Sequence, residues 1–134
     1  MIVDEFILRH YFGVINNLQY ECYVSDAIPE TVQYPFVVIG EVQCIERVVP
    51  CPMWICYVTL DIVTGSKGQI GRVQSLEIAD DIHQAIKASA GVSSDGYKVN
   101  SIYTTNSAPL SESDSINYIY RNIRTYINQV TIIN

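Results

Sequence analysis

Apolar residues recur at helical spacing over residues 2–18, where Ile2, Phe6, Ile7, Tyr11, Val14, Ile15 and Leu18 fall near one stripe. Asp4 and Glu5 would stand in the first turn of that helix, where carboxylates suit the positive end of the dipole. A short strand is predicted at 20–24. Pro35, which has no amide donor and forces Tyr34 into an extended conformation, opens a second strand running to about Arg47. Its first residues, Phe36-Val37-Val38-Ile39, are aromatic and β-branched. Pro50 and Pro52 mark the loop 48–52, because a proline cannot serve a central ladder.

From Met53 to Val63 the period changes to two. Trp54, Cys56, Val58, Leu60 and Ile62 share one face and Tyr57, Thr59 and Asp61 the other, the pattern of a half-buried strand. A glycine-rich turn from Gly65 to Gly71 leads into a second helix, with Ile70, Val73, Leu76, Ala79, Ile82, Ala85 and Ile86 as its stripe and Gly91 as its C-terminal cap. Two further strands are expected at 97–106 and 116–128, separated by a polar loop at 107–115. The order α-β-β-β-α-β-β predicts one α+β domain over residues 1–134. Its simplest form is a twisted, mainly antiparallel sheet of four to five strands with two helices packed on one face.

A chain of 134 residues with 49% hydrophobic content is long enough to bury a core of its own. No apolar run approaches the roughly 20 residues that a membrane helix needs, so no membrane partner is expected. The apolar, acidic start Met-Ile-Val-Asp-Glu-Phe is wrong for a secretory signal, which points to synthesis in the cytoplasm. Cys22, Cys44, Cys51 and Cys56 form no Cys-x-x-Cys pair and have no nearby histidine, so free thiols are expected and no metal site. The net charge of −6 argues against a nucleic-acid-binding surface. Its distribution is uneven. Asp4, Glu5, Glu21, Asp26, Glu30, Glu41 and Glu46 face a single base, Arg9, over residues 1–46, whereas residues 115–134 hold Arg121 and Arg124 and no acid.

Few residues suggest chemistry. The Gly65-Ser-Lys67-Gly68-Gln-Ile-Gly71 turn has the composition of a phosphate cradle, yet lacks both the Gly-x-x-x-x-Gly-Lys-[Ser/Thr] and the Gly-x-Gly-x-x-Gly spacing. Asp80 and Asp81 are adjacent on a helix, about 100° apart, and so do not share a proton or a metal. His83 stands three residues beyond Asp80, and His10 stands among aromatics, with no nucleophile placed beside either. Both read as structural histidines. No catalytic set and no cofactor is expected, and the chain is read as a non-enzyme.

On the last strand Tyr118, Tyr120 and Tyr126 share a face with Asn122 and Arg124, while Ile119, Ile123 and Ile127 share the other with Arg121. The isoleucine face is assigned to the core. The tyrosine face is either a protein-contact strip of the kind that interfaces enrich, or is covered by the helices.

Two segments resemble a known family. Val24-Ser-Asp26-x-x-Pro29 and Tyr34-Pro-Phe-Val-Val-Ile-Gly-Glu41, followed in order by the alternating strand 53–63, the turn 65–71, the helix 69–87 and a Tyr120-Arg121 in the last strands, are similar to the tail-completion or tail-terminator proteins of long-tailed bacteriophages. The resemblance covers roughly residues 20–130. It departs from the family after the long strand, where Val63-Thr-Gly-Ser-Lys67 replaces an aromatic-and-basic segment, and at the Pro50-Cys-Pro52 loop. Membership implies a structural virion protein that assembles with itself as a ring, usually hexameric. The ring caps the tail tube protein, stops its polymerisation and docks the head-tail connector or stopper while DNA passes through the lumen. The place it implies is the tail-head junction of the virion.

Ring closure needs one patch to meet a different patch on the next copy. Exposure and charge put the contact residues at Glu46, Arg47, Val48 and Val49, at Lys67, and at Arg121 and Arg124, with the acidic N-terminal half as counterpart. Two rival readings are another neck or head-completion protein of the same particle, and a small ligand-binding module using the Gly65 to Gly71 turn.

Overall fold

The computed structural model of the chain describes residues 2–29, 35–48, 52–66, 71–113 and 118–133. Its elements run α1 (Val3–Asn17), β1 (Glu21–Val24), β2 (Phe36–Arg47), β3 (Met53–Ser66), α2 (Gly71–Ala88), β4 (Ser93–Ser94), β5 (Tyr97–Ser113) and β6 (Tyr118–Ile132). The fold is α+β, in the expected order, with both helices on one face of a single sheet. Strand order in the sheet is β1-β2-β3-β6-β5-β4, which makes six strands rather than four to five. The addition is the two-residue β4, too short to leave a periodic signal. Among the described residues β1 and β2 run parallel and the other strand pairs are antiparallel.

The core lies between sheet and helices. Val3, Phe6, Ile7, Tyr11 and Ile15 of α1 and Ile78, Ala79, Ile82 and Ile86 of α2 press on Val37, Ile39, Cys56, Val58, Leu60, Ile62, Val99, Tyr126 and Val130. The alternation read in β3 is therefore its real facing. The start of the α2 stripe is not: Val73 and Leu76 are 59% and 50% exposed. The helix covers the sheet only from Ile78 onward. Gly91, just past α2, adopts φ +93°, a left-handed conformation glycine takes without steric cost.

Two expectations are corrected. The polar stretch 107–115 is not a loop through its length: β5 continues to Ser113, paired with β6 as far as Tyr118. Ser, Asn and Pro109 signal a turn, but a long partner strand supplies ladder bonds there, and an outer strand tolerates a proline. The faces of β6 are also the reverse of the assignment. Val58 pairs with Tyr126, and Leu60 with Arg124, so the even-numbered residues of β6 share the helix side. Tyr126 and Asn128 are wholly buried there, and Asn122 nearly so. The odd-numbered Ile119, Arg121 and Ile123 take the open side. A period of two reveals alternation but not parity when both faces carry apolar residues.

Candidate interaction surfaces

The buried polar groups of the helix side are matched to partners. The Tyr11 hydroxyl donates to Asn128 Oδ1 at 2.6 Å, and Asn128 Nδ2 donates to the Cys56 carbonyl at 3.0 Å. Burial pushes the Tyr11 phenol well above its ordinary value. His83 Nδ1 lies 3.2 Å from the Tyr126 hydroxyl, and His10 Nε2 lies 2.9 Å from Ser89 Oγ. Burial lowers the pKa of both imidazoles, and Arg124 and Lys87 add to the lowering at His83. Both histidines thus tie elements together, His10 joining α1 to the residue after α2. Asp81 accepts from the Tyr20 hydroxyl at 3.3 Å, and Asp80 is exposed.

Cys22, Cys44 and Cys56 are free, two of them buried, and burial pushes the Cys22 thiol up to about 12. A thiol so protonated is a poor nucleophile. Cys51 lies outside the described residues. Among the described residues no group of three or more His, Cys, Asp or Glu side chains could hold a metal ion, and no helix is long and apolar enough to cross a membrane.

Among the described residues no helix lies over the other face of the sheet. Phe36, Val38 and Val63 form a second, small cluster there, with Tyr23 and Ile119 packed against it. Beside it runs a groove of about 430 Å³, with Phe36, Val38, Val63 and Ile119 as apolar lining, Ile28 on its rim, and Asp61 and Arg121 among its polar lining. The Arg121 guanidinium forks onto the Asp61 carboxylate across β6 and β3. Thr59 and Thr125, an opposed pair, join their hydroxyls at 3.2 Å on the same face. The sequence contains a signal for this surface that alternation hides. A continuous run such as Phe36-Val37-Val38-Ile39 marks a strand apolar on both faces.

The proposed contact residues do not converge on one spot. β3 is 14 residues long, about 45 Å at about 3.3 Å per residue. Glu46, Arg47 and Val48 sit at the β2–β3 hairpin, where Arg47 pairs with Met53 at one end of β3; all three are exposed, Val48 to 67%. Val49 and Lys67 lie outside the described residues. Arg121 stands on the open face, held by Asp61, and Arg124 on the helix side, donating to Asn122 Oδ1 at 2.9 Å. The two arginines are thus on opposite faces of β6, and the described candidate contacts divide between one end of the sheet and its two faces.

No protein-family model matches the sequence, and no curated protein matches it. A chain in the solved structure of the virion of a native gene transfer agent (GTA) particle has the same fold, with a TM-score of 0.61 over 87% of this chain and 83% of that chain, at 12% identity. At that identity the likeness is one of fold alone.

Proposed function

We propose that this chain is a structural virion protein of a tailed phage-like particle. In this reading it is the tail terminator, forming a ring, usually hexameric in such proteins, that caps the tail tube, halts its growth and joins the tail to the head connector. The observation that carries the reading is the fold shared with a chain of a gene transfer agent virion. The Asp26-x-x-Pro29 and Tyr34-Pro-Phe-Val-Val-Ile-Gly-Glu41 segments add the terminator likeness.

A tall sheet with connecting segments at both ends suits a cap that meets one partner above and another below. On this reading the β2–β3 end, with Glu46, Arg47 and Val48, meets one partner. The opposite end of the sheet meets the other. The role is non-enzymatic and needs no cofactor; partners are other copies of the chain, the tube protein and the connector. A net charge of −6 fits a lumen through which DNA slides without sticking.

The test is negative-stain microscopy of purified tail tubes with and without the protein. Rings at one tube end, with elongation halted, are the expected result. Bare ends and unaltered lengthening would overturn the terminator role and favour another neck component.

A further inference from the structure

Cys44 of β2 and Cys56 of β3 are register partners in an antiparallel ladder. The pairing runs without a break from Val42 opposite Val58 to Arg47 opposite Met53, so the two cysteines are held across from each other. Directly opposed residues of such a ladder stand about 4.5–5.5 Å apart at Cα and project from the same face. A disulfide spans about 4.4–6.8 Å between Cα atoms, so this pair can be joined where it stands. The thiols are already in contact, with the Cys56 thiol hydrogen-bonded to Cys44. Cys22 lies opposite Val37, at the far end of β2, and is out of reach.

The two sulfurs differ in setting. Cys56 is wholly buried in the core beneath the helices, whereas Cys44 is half-buried and packs against the margin of that core. The hydrogen bond to Cys44, together with burial, pushes the Cys56 thiol up. Cys44 is therefore the thiol that a reagent from solvent meets first, and Cys56 is the one that resolves the product.

We propose that Cys44 and Cys56 form a redox site: two thiols under reducing conditions, and a cross-strand disulfide once the protein meets a small disulfide such as oxidised glutathione. The Cys44 thiolate attacks one sulfur of that reagent, making a mixed disulfide and releasing one small thiolate. Cys56 then attacks Cys44 Sγ, giving the Cys44–Cys56 bond and releasing the second. The protein pair loses two electrons to the reagent, and its two protons go to the two departing thiolates. The bond staples β2 to β3 next to Glu46, Arg47 and Val48, the end that meets a partner in the proposed assembly. Its timing rests on the virion reading, because a particle is built inside a reducing cell and released into an oxidising medium.

The test treats the purified Cys51→Ser chain with oxidised glutathione at about pH 8, where thiolates are populated. Remaining thiols are blocked with N-ethylmaleimide and the peptides are mapped by mass spectrometry. The substitution leaves Cys56 as the one cysteine of segment 48–67, and cleavage after Glu41 separates Cys44 from Cys22. The expected product is a link between the peptides that hold Cys44 and Cys56. The melting temperature should rise by about 5–10 °C with the bond and return to its starting value in dithiothreitol. Adding Cys44→Ser should abolish both the link and the rise. Glutathione retained on Cys44, a link to Cys22 or to a second chain, or two unreacted thiols would overturn the site. The link in a protein that caps no tail tube leaves the redox site standing and removes the terminator reading. Caps formed by a protein whose two thiols never join leave the terminator reading standing and remove the redox site.

Discussion

The two faces of this sheet are built from the same residue types and do different work. On the helix side Leu60, Ile62, Val58 and Tyr126 are wholly buried, and the polar atoms of Tyr11, Asn128 and Tyr126 are matched by partners from other elements. On the open side, Phe36, Val38 and Val63 are buried by one another and by a few neighbours, with no second layer among the described residues. Charge separates them as well, for the open side keeps the Asp61–Arg121 pair at a groove rather than a sealed network. One face carries most of the fold's stability, and the other contributes less.

Truncation should expose that asymmetry most strongly. Leu60→Ala should cost about 2–5 kcal/mol in urea unfolding, the usual range for a fully buried leucine. Val38→Ala on the open face should cost about 1 kcal/mol, as a smaller side chain with solvent near it. Equal losses would mean that the open face is as much a core as the other.

The polar lock of the helix side should rank next. Asn128→Ala leaves the Tyr11 hydroxyl and the Cys56 carbonyl without their shared partner, at a cost of about 2–3 kcal/mol. Tyr11→Phe removes one group and should cost about 1 kcal/mol. If the two variants proved equally mild, water would be reaching the site.

A smaller effect is expected from pH. His10 has a folded pKa below its ordinary 6.5, so the unfolded chain takes up the proton first. Stability should be full above pH 6.5, fall as pH drops below it, and level off beneath the folded value. Thermal unfolding between pH 7 and 5 reads this slope, and His10→Gln should flatten it. His83 contributes in the same direction. The smallest change in stability is expected for Arg121→Ala, below about 1 kcal/mol for a partly exposed pair. Its effect on tube capping, if the open face meets a partner, should be the larger one.

Most of the architecture was legible from local pattern. Helical spacing marks α1, the alternation from Trp54 to Ile62 marks β3 and its buried face, and Pro35 starts β2 within one residue. What escaped depends on distant partners. Residues 107–113 are strand because β6 lies beside them, although their own composition signals a turn. Tyr126 is core because its opposite, Val58, points at α2; nothing within β6 fixes that parity. Val73 and Leu76 continue the stripe of α2 beyond the point where the helix covers the sheet. The setting of the candidate contact residues was the least legible part. Arg121 and Arg124 were identified by charge, and charge does not say that one is held by Asp61 on the open face while the other is held by Asn122 beneath the helices.

Hydrogen–deuterium exchange of the protein, free and bound to tail tubes, tests most directly whether the open face is a contact surface and the helix layer only structural. The account predicts added protection in 23–28 and 36–40, around the open-face groove, with α1 and α2 unchanged. Protection confined to the outer surfaces of α1 and α2 would contradict it.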